Sequence, residues 1–425
     1  MKAKFCWVLL VSLWLVAAVG TRARAQAQAQ GFYLKSGDTV VFYGDSITAQ
    51  NLYNQWVELY VVTRFPAMRV HFYGAGVGGD RVTGGSGGPI DERLARDVFA
   101  HKPSVVTVML GMNDGSYRAT TDDIQSTYTK GYEHLLESIH TNAPGARITL
   151  LGPSPFDDVT RPARFTGGYN AVMLHFADLD KDLAQKYGAT FINLNPPVVA
   201  ALSKAQALDP QVAKLLLPDR VHPEPLAHWV MAETLLKGWH APALVSSVTI
   251  DGHAGKVADV ENATVDAVTQ DKDGLHWTAT EKSLPLAFSR NNAFQALLLD
   301  LTDIQQQLNQ EPLRVTGLAA GQYNLAIDDK AIGTFTAAEL DKGINLADYP
   351  TPMWDQANRV SWTVSDRDQA HHVHMQMQIK KLDPGDQLGK ADELDAFENF
   401  LEDEEYEAAT PKAHVFAVSA VNAQP

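Results

Sequence analysis

The sequence Thr-Val-Val-Phe-Tyr-Gly-Asp-Ser-Ile-Thr at residues 39–48 decides how the first half of this chain folds. Its first five residues are apolar or β-branched and typical of a buried strand, and turn residues then interrupt the run at Gly44. This pattern predicts a strand that ends in a sharp turn and presents the Ser46 hydroxyl at its carboxyl end. Taken alone it is weak evidence for a nucleophile, because Gly, Asp and Ser are common in ordinary turns.

Two later segments also follow strand-like runs and carry residues suited to binding negative charge. The first is the glycine-rich stretch at 74–80, whose backbone N–H groups are unobstructed by side chains and could donate to an oxyanion. The second is Gly-Met-Asn-Asp at 111–114, where Asn113 could donate a side-chain N–H. Each segment also has an ordinary interpretation, a flexible loop for the first and an Asx-turn for the second. The residues alone leave both interpretations open.

A fourth segment, Asp-Arg-Val-His-Pro at 219–223, carries an acid and a base three residues apart. The chain has 14 His, and His222 is singled out because Asp219 precedes it on a short loop bounded by proline. A serine nucleophile needs a nearby base, and that base needs a third group to fix its tautomer. The segment is also typical of a helix N-terminus, since residues 224–236 have a helical pattern, and the two interpretations are compatible.

Strand-like and helical segments alternate through the first half of the chain. Such alternation predicts a parallel sheet with helices on both faces, in which ligands bind at the carboxyl ends of the strands. Ser46, Gly79 and Asn113 each lie just past the end of one of three successive strands, so this topology would place them together. The predicted strands are 39–43, 69–73, 104–110, 147–152 and 189–194, and the predicted helices are 49–65, 124–141 and 169–187.

Together the four segments resemble the SGNH hydrolases, also called the GDSL esterase/lipase family, in both order and spacing. The resemblance covers about residues 39–237, roughly half of the chain, and implies an α/β fold with a flavodoxin-like parallel sheet of the SGNH hydrolase type. The motifs that carry it are Gly-Asp-Ser-Ile-Thr at 44–48, Gly-Val-Gly-Gly-Asp at 76–80, Gly-Met-Asn-Asp at 111–114 and Asp-Arg-Val-His at 219–222.

The resemblance also implies a role for each motif residue. Ser46 would be the nucleophile, and His222 would be the general base, oriented by Asp219. The backbone N–H groups of Ser46 and Gly79 and the side-chain amide of Asn113 would form the oxyanion hole.

This sequence departs from the family pattern at two positions. Ile47 stands where the family name has Leu, which is a mild exchange of one apolar residue for another. Gly74 stands where many members carry Asn at the start of the second motif. The second departure could loosen the loop that holds Gly79, but neither removes a catalytic group.

At 425 residues the chain is long enough for two domains. Its first 25 residues have the pattern of a secretory signal peptide, with basic residues, an apolar core and an Ala-Arg-Ala cleavage site at 23–25. The predicted division is a signal peptide at 1–25, an SGNH hydrolase domain at 31–240, a β-rich accessory domain with helical insertions at 245–382, and an acidic, flexible tail at 383–425.

The second half of the chain lacks a recognisable motif, and its elements are predicted from patterning alone. Gly and Asp turns separate short strand-like runs, and one helical segment interrupts them. Residues 383–407 contain eleven acids and one base, which is typical of a solvated helix or a disordered tail. The predicted strands are 245–252, 313–318, 321–329 and 360–364, and the predicted helix is 293–310.

Two further segments have a functional and an ordinary interpretation. His-His-Val-His at 371–374 would bind metal if these histidines alternated on a strand beside other ligands. Because no carboxylate or cysteine partner is evident, no metal site is predicted there. The glycine-rich stretch at 84–89 could shape the substrate entrance, and the favoured interpretation is a linker to the next helix.

Charge and cysteine content exclude several classes of function. The formal net charge is -15, and cleavage of the leader would make it more negative, which disfavours nucleic acid and anionic membrane surfaces as partners. The single cysteine, Cys6, lies in the leader, so a mature chain would have neither disulfides nor thiolate chemistry. No segment beyond the leader has the pattern of a stable membrane insertion, and the sequence leaves the oligomeric state open.

The sequence therefore predicts an exported serine ester hydrolase, secreted or periplasmic, that needs no cofactor or metal. Its substrate would be a small-molecule or glycan ester with a short acyl group, and a carbohydrate O-acetylesterase is the favoured activity. Two alternatives remain open. One is a lysophospholipase or thioesterase of the same family, and the other is a non-catalytic protein that binds carbohydrate or a surface.

Overall fold

The computed structural model of this chain describes residues 31–379 and 388–421, and a five-stranded parallel sheet organises its first half. The predicted signal peptide at 1–25 lies outside the described residues. In chain order the elements of this half are β1 (Thr39–Gly44), α1 (Ser46–Ala49), α2 (Tyr53–Arg64), β2 (His71–Gly76), β3 (Gly84–Gly85), β4 (Gly88–Pro89), α3 (Ile90–Asp97), β5 (Val105–Met109), α4 (Asp122–Asn142), β6 (Arg147–Gly152), α5 (Tyr169–Tyr187), β7 (Thr190–Asn193), α6 (Asn195–Leu208), α7 (Pro210–Leu216) and α8 (Pro225–Gly238).

The five strands have the order β2-β1-β5-β6-β7, and every neighbouring pair is parallel. All residues of β5 are buried, as are the five residues of β1 that follow Thr39, because helices cover both faces of the sheet. The strand order reverses between β1 and β5, which is the flavodoxin-like arrangement. The predicted fold class is thus confirmed, and the crevice where such sheets bind ligands lies at the carboxyl end of β1.

The second half of the chain is mostly β, as predicted, and contains two further sheets. A six-stranded antiparallel sheet has the order β10-β12-β17-β14-β15, with β11 paired to β12, and a four-stranded sheet has the order β16-β13-β8-β9. Its elements are β8 (Ser247–Asp251), β9 (Lys256–Glu261), β10 (Ala263–Val265), β11 (Thr269–Gln270), β12 (Leu275–Glu281), α9 (Ala293–Leu301), α10 (Ile304–Leu308), β13 (Pro312–Thr316), β14 (Gln322–Ile327), β15 (Lys330–Thr336), α11 (Ala337–Lys342), β16 (Ile344–Asn345), α12 (Pro352–Ile379), α13 (Leu388–Ala408) and β17 (Ala413–Ala420).

The predicted strand at 360–364 is wrong, because these residues belong to the 28-residue helix α12. Val360, Val364, Arg367 and His371 are buried on one face of that helix, at the spacing of a 3.6-residue period. Arg367 and His371 occupy two of these four buried positions, so the sequence of this face lacks the apolar stripe that indicates a buried helix. The short apparent alternation from Val360 to Val364 therefore suggested a strand by chance.

The prediction of a flexible acidic tail at 383–425 is also wrong for the residues that the structure describes. Helix α13 packs against α12, and β17 lies in the middle of the six-stranded sheet, where Val418 pairs with Leu275 on one side and Leu325 on the other. The buried acids of α13 lie beside polar or charged residues of α12, as Glu402 does 3.7 Å from Arg367 and Glu398 does 2.9 Å from His371. Counting charges in the sequence does not reveal such pairing. Because β17 lies within the six-stranded sheet, the second domain extends to β17.

The hairpin of α12 and α13 covers the outer edge of β2. The Tyr406 hydroxyl donates to the Val70 carbonyl and accepts from the Val70 N–H, at 2.8 Å each. Arg367 donates to Glu58 at 2.8 Å and also to the Phe72 carbonyl. An edge strand has unpaired backbone groups, and these contacts satisfy part of them. The hairpin therefore helps to fix the strand that leads into the residue 74–80 loop.

Among the helices of residues 31–379 and 388–421, none is both long and apolar enough to cross a membrane.

Deleting β17 should unfold the second domain, because β12 and β14 each lose the central strand that joins them into one sheet. A chain ending at Thr410 should be insoluble or should melt at a much lower temperature than the full chain. A chain ending at Val421 keeps the strand and is the control. Thermal unfolding followed by circular dichroism tests this, and an unchanged Tm for the shorter chain would show that β17 is dispensable.

Candidate active site

Ser46 is the first residue of α1, and its neighbour Asp45 holds the turn that presents it. The Asp45 carboxylate accepts a hydrogen bond from the Ile47 N–H at 2.9 Å and caps the short helix. Burial, together with repulsion from Asp114 and Asp80, raises the pKa of Asp45 to about 7, although the Ile47 N–H opposes this shift. The capping carboxyl therefore changes its charge near neutral pH.

Two glycines let the serine turn pack directly against the ends of β1 and β2. A Cβ at Gly44 would lie 2.2 Å from Thr48 Oγ1, and a Cβ at Gly76 would lie 2.2 Å from the Ala49 nitrogen. Both distances are far below van der Waals contact, so only glycine allows this close approach. The glycines of the first and second motifs thus have a packing role that spacing alone does not reveal.

Ser46, His222 and Asp219 form a continuous hydrogen-bonded chain. His222 Nε2 lies 2.8 Å from Ser46 Oγ, and His222 Nδ1 lies 2.6 Å from Asp219 Oδ2. The other Asp219 oxygen accepts from the backbone N–H groups of Val221 and His222 at 2.9 and 2.8 Å. Partial burial disfavours the charged carboxylate, but the bonds from the His222 ring and these two N–H groups outweigh it and lower the pKa of Asp219.

The turn that carries Asp219 and His222 depends on the conformation of Arg220. This residue has a φ of +78°, in the left-handed region that non-glycine residues rarely adopt. Its guanidinium donates to the Pro162 carbonyl at 2.7 Å and stacks over the Phe156 ring at 5.5 Å, and its carbonyl accepts from the Asp157 N–H at 2.9 Å. The segment after β6 thus anchors the turn.

Gln50 connects the serine turn to the histidine loop. Its Nε2 donates to the Pro223 carbonyl at 2.9 Å, and its Oε1 lies 3.2 Å from Nε2 of the buried His228. Burial, with a smaller effect from His222, lowers the pKa of His228 to about 3, so this imidazole is neutral and donates to Gln50. A second, buried histidine thereby supports the loop that carries His222.

The predicted oxyanion donors lie on the loops that follow β2 and β5. Gly79 has a φ of +78°, and a Cβ built on its neighbour Gly78 would lie 4.0 Å from Ser46 Cβ. The Asn113 carboxamide is held at both ends, because its Nδ2 donates to the Asp80 carbonyl at 3.0 Å and its Oδ1 accepts from the Tyr117 hydroxyl at 3.2 Å. The loop after β2 therefore lies against Ser46 and holds the Asn113 amide through Asp80, and the second N–H of that amide remains available as a donor.

The Gly74 departure has a structural reason. A Cβ at this position would lie 2.4 Å from Asn51 Oδ1, so a larger side chain would require the Asn51 carboxamide to move. The Gly74 carbonyl also accepts a hydrogen bond from His371 Nε2 of α12 at 3.2 Å. The second domain thus contacts β2 at the position where this chain differs from the family pattern.

The glycine-rich segment at 84–89 does more than link two elements. It forms the short hairpin β3–β4, and its Ser86 hydroxyl donates to the Gly78 carbonyl at 2.6 Å. The hairpin therefore supports the loop that carries Gly79, a contact that the expectation of a simple linker did not include.

Sequence reasoning missed Arg93 and Tyr117, two residues that shape the site. Arg93 is fully buried and donates to the carbonyls of Gly44 and Ala75 at 3.3 and 2.8 Å. Tyr117 holds the Asn113 amide and packs against Tyr169 at a ring distance of 5.1 Å. Arg93 lies in an ordinary charged helix sequence, so no signal distinguishes it. Tyr117 follows the third motif by three residues, which is a weak signal.

One group of side chains in residues 31–379 and 388–421 has the composition and spacing to hold a metal ion. It consists of His374, Asp395 and Glu398, and it includes no member of the Ser46, His222 and Asp219 chain. The chemistry available at Ser46 is that of an activated hydroxyl beside a base and an orienting carboxylate, which suits nucleophilic acyl transfer.

Comparisons with known proteins agree with this chemistry. The family model for GDSL-like lipases and acylhydrolases matches residues 42–230. An acetylxylan esterase from Geobacillus stearothermophilus is 25% identical over 227 residues, which are 48% of this chain and 94% of that protein. The structure of a gut microbial diltiazem-metabolizing enzyme is similar with a TM-score of 0.80 and 25% identity, over 92% of this chain and 99% of that one. The structural similarity therefore includes both domains.

Replacing Asp45 by Asn should stabilise the protein increasingly as the pH rises. The pKa of Asp45 is about 7 in the folded chain, against about 3.9 for an unfolded Asp. Between these values the folded state binds more protons than the unfolded state, so stability falls as pH rises from about 4 to 7. An asparagine at this position would keep the cap without ionising. The Tm difference between Asp45→Asn and wild type should therefore be larger at pH 8 than at pH 5.

The control for this experiment is Asp209→Asn, which makes the same change at the exposed N-cap of α7. Its Tm difference from wild type should be similar at the two pH values. A Tm difference for Asp45→Asn that does not grow with pH would contradict the assigned charge change.

Proposed function

We propose that Ser46 cleaves short-chain acyl esters. The premise is that residues 42–230 belong to the GDSL-like lipase/acylhydrolase family, also called the SGNH hydrolases, and that the chain is a carboxylic ester hydrolase. The observation that carries this proposal is the chain of hydrogen bonds from Ser46 Oγ through His222 to Asp219, at 2.8 and 2.6 Å. It lies at the carboxyl end of β1, where the strand order of the sheet reverses.

In the proposed first step, His222 removes the Ser46 proton as Ser46 Oγ attacks the ester carbonyl. Asp219 accepts from the Nδ1–H, which leaves the Nε2 lone pair facing the serine hydroxyl. The lowered pKa of Asp219 keeps this group ionised, so it stabilises the imidazolium that forms. His222 then donates its proton to the leaving alcohol, and an acyl-enzyme remains on Ser46.

The negative charge on the tetrahedral intermediate requires donors that are fixed before reaction. The proposed donors are the backbone N–H groups of Ser46 and Gly79 and the Asn113 side-chain amide. Because the Asp80 carbonyl and the Tyr117 hydroxyl already orient that amide, little reorganisation accompanies the reaction. One such donor contributes a factor on the order of 10²–10³ to kcat. Water, activated by His222, then attacks the acyl-enzyme and releases the acid.

The proposed substrate is an acetyl ester of a carbohydrate. The Geobacillus stearothermophilus relative is named an acetylxylan esterase and aligns along 94% of its own length. The signal-peptide pattern of residues 1–25 supports export, where glycan esters are available. The negative net charge of -15 gives no attraction to anionic lipid surfaces, which agrees with a neutral glycan substrate.

An apolar groove favours a second candidate, an ester with a larger apolar group. The groove has a volume of about 570 Å³ and lies where α9 of the second domain faces α7 and α8, and its lining includes Pro218 and Glu224 on either side of the 219–223 segment. Its lining includes Trp56, Trp229 and Phe294, and Phe294 is 70% exposed. A long acyl chain or an aromatic alcohol would bury this surface.

Replacing Ser46 by Ala should abolish ester hydrolysis while the protein stays folded. The reason is that the hydroxyl is the only group of the triad able to form the acyl-enzyme. Hydrolysis of p-nitrophenyl acetate, stoichiometric labelling by a fluorophosphonate and the Tm measure the three parts of the claim. Ser203→Ala, which changes an exposed serine of α6, is the control and should keep wild-type turnover and labelling. Turnover by Ser46→Ala with an unchanged Tm would refute the nucleophile assignment.

A set of esters separates the two substrate candidates. We expect kcat/KM to be highest for acetyl among p-nitrophenyl esters of increasing chain length, and we expect acetate release from acetylated xylo-oligosaccharides. A maximum at long chains, lowered by Phe294→Ala while acetyl hydrolysis is kept, would favour the apolar ester instead. Phe397→Ala, which removes an exposed aromatic of α13, is the matched control.

A further inference from the structure

Helices α12 and α13 enclose a cavity of about 380 Å³ on the outer side of β2. His371 and His374, three residues apart on α12, face Asp395 and Glu398, three residues apart on α13. These four residues form what we call the histidine–carboxylate cluster. Residues three apart on a helix lie on the same face, so each helix supplies two side chains to the cluster.

The contacts within the cluster are short and converge on Glu398. The two Glu398 oxygens lie 2.9 Å from His371 Nδ1 and 2.7 Å from His374 Nδ1, and Asp395 Oδ1 lies 3.6 Å from His374 Nδ1. One ligand atom from each of His374, Asp395 and Glu398 lies within 4.8 Å of the other two. Both histidines and Glu398 are buried, whereas Asp395 lies at the open side of the cavity. A small ion could therefore contact the ligand atoms of His374, Asp395 and Glu398, and His371 would complete the set if its ring rotated toward the ion.

The contact of His371 outside the cluster fixes its tautomer. Its Nε2 lies 3.2 Å from the Gly74 carbonyl, which only accepts, so Nε2 carries a proton. In a neutral imidazole the Nδ1 then has a lone pair, and this lone pair faces the Glu398 carboxylate at 2.9 Å. Two acceptors in contact repel each other unless a cation lies with them, either a proton on the ring or a metal ion. A backbone carbonyl behind the ring is also the usual support of a metal-binding histidine.

His374 is able to adopt the same ligating tautomer. Its Nε2 lies 3.0 Å from Gln378 Nε2. A glutamine amide presents either a donor or an acceptor by rotating through half a turn, so it supports either tautomer of the imidazole. With the Gln378 oxygen toward the ring, His374 Nε2 donates, and the Nδ1 lone pair faces Asp395 and Glu398.

The charges that line the cavity are mixed, with Arg96, Lys102 and Arg367 beside four carboxylates, Asp97, Asp395, Glu398 and Glu402. Arg96 and Arg367 already have carboxylate partners outside the cluster, in Asp97 at 2.6 Å and Glu58 at 2.8 Å. The two cluster carboxylates are therefore not the main partners of either arginine. Two carboxylates and two imidazoles are a donor set that matches zinc and related divalent transition metals in a tetrahedral arrangement.

We propose that His371, His374, Asp395 and Glu398 bind one divalent transition-metal ion of the zinc class. The ion joins α12 to α13 and so stabilises the hairpin that covers β2. His371 also donates to the carbonyl of Gly74 in β2, so the metal site contacts the strand that leads into the loop carrying Gly79. Its role is structural, and no step of ester hydrolysis passes through it.

The test uses the full chain, treated with a chelator, desalted and titrated with ZnCl₂ in a calorimeter. We expect saturable binding of one ion per chain and a rise in Tm on the order of a few °C when zinc is added. Cobalt should give the visible absorption bands of a tetrahedral site. Glu398→Gln should weaken zinc binding by at least about 100-fold, because even an outer partner of a metal ligand contributes 10–100-fold.

Two further variants keep the test decisive. Glu393→Gln makes the same change at an exposed position of α13 and should bind zinc as wild type does. Asp395→Asn removes a ligand whose side chain is 62% exposed, so this variant should fold even if Glu398→Gln does not, and it should also weaken binding. Absence of saturable zinc and cobalt binding by wild type would overturn the proposal and leave the cluster as a protonated ion network. Undiminished binding by both ligand variants would place the ion elsewhere and overturn it equally.

Discussion

Arg93 is fully buried where the carboxyl ends of β1 and β2 meet, and the geometry around Ser46 depends on its hydrogen bonds. It donates to the Gly44 carbonyl, to the Ala75 carbonyl and, through Nε at 2.6 Å, to Asp80. The serine turn and the loop that carries Gly79 are thus joined through one side chain. Loss of one partner of a buried ion pair costs about 3–5 kcal/mol, because the remaining charge is left uncompensated. The distance between Ser46 and the loop that carries Gly79 therefore follows from this ion pair as much as from the sheet.

Buried arginines also hold the second domain against the outer edge of the sheet. Arg367 of α12 is buried beside Glu58 and the Phe72 carbonyl, so the first domain compensates its charge together with carboxylates of its own domain. Arg64 makes the reverse connection, since it donates to the Leu308 carbonyl of the second domain at 2.8 Å. Such buried cations tolerate little displacement. The two domains therefore constrain each other, and β17, which completes the second sheet, indirectly supports the residue 74–80 loop.

The sequence was sufficient for the parallel sheet and for the candidate site, because both depend on local patterns. Apolar runs followed by glycine mark the strand ends, and the predicted helix at 169–187 has the observed bounds. Asp219 and His222 could be placed together because they lie three residues apart in the 219–223 segment. Helix α12 and strand β17 were not predictable in this way. In α12 the buried face contains Arg367 and His371, and β17 follows an acidic stretch that suggested disorder. Their burial is favourable only through partners distant in sequence, which no local pattern records.

Part of the backbone strain in the described residues lies on the loops of the candidate site, together with the contacts that hold it. Arg220, Ser116 and Tyr117 have φ values of +78°, +52° and +56°, and each such residue costs of order 1–3 kcal/mol. The strain at Arg220 is what turns the chain so that Asp219 and His222 face Ser46, and the Pro162 carbonyl and Phe156 ring fix its side chain. Tyr117 is held in turn by the rings of Phe156 and Tyr169. Phe156 contacts both strained turns, so the segment after β6, which has no catalytic group of its own, sets the position of the base and of the Asn113 amide together.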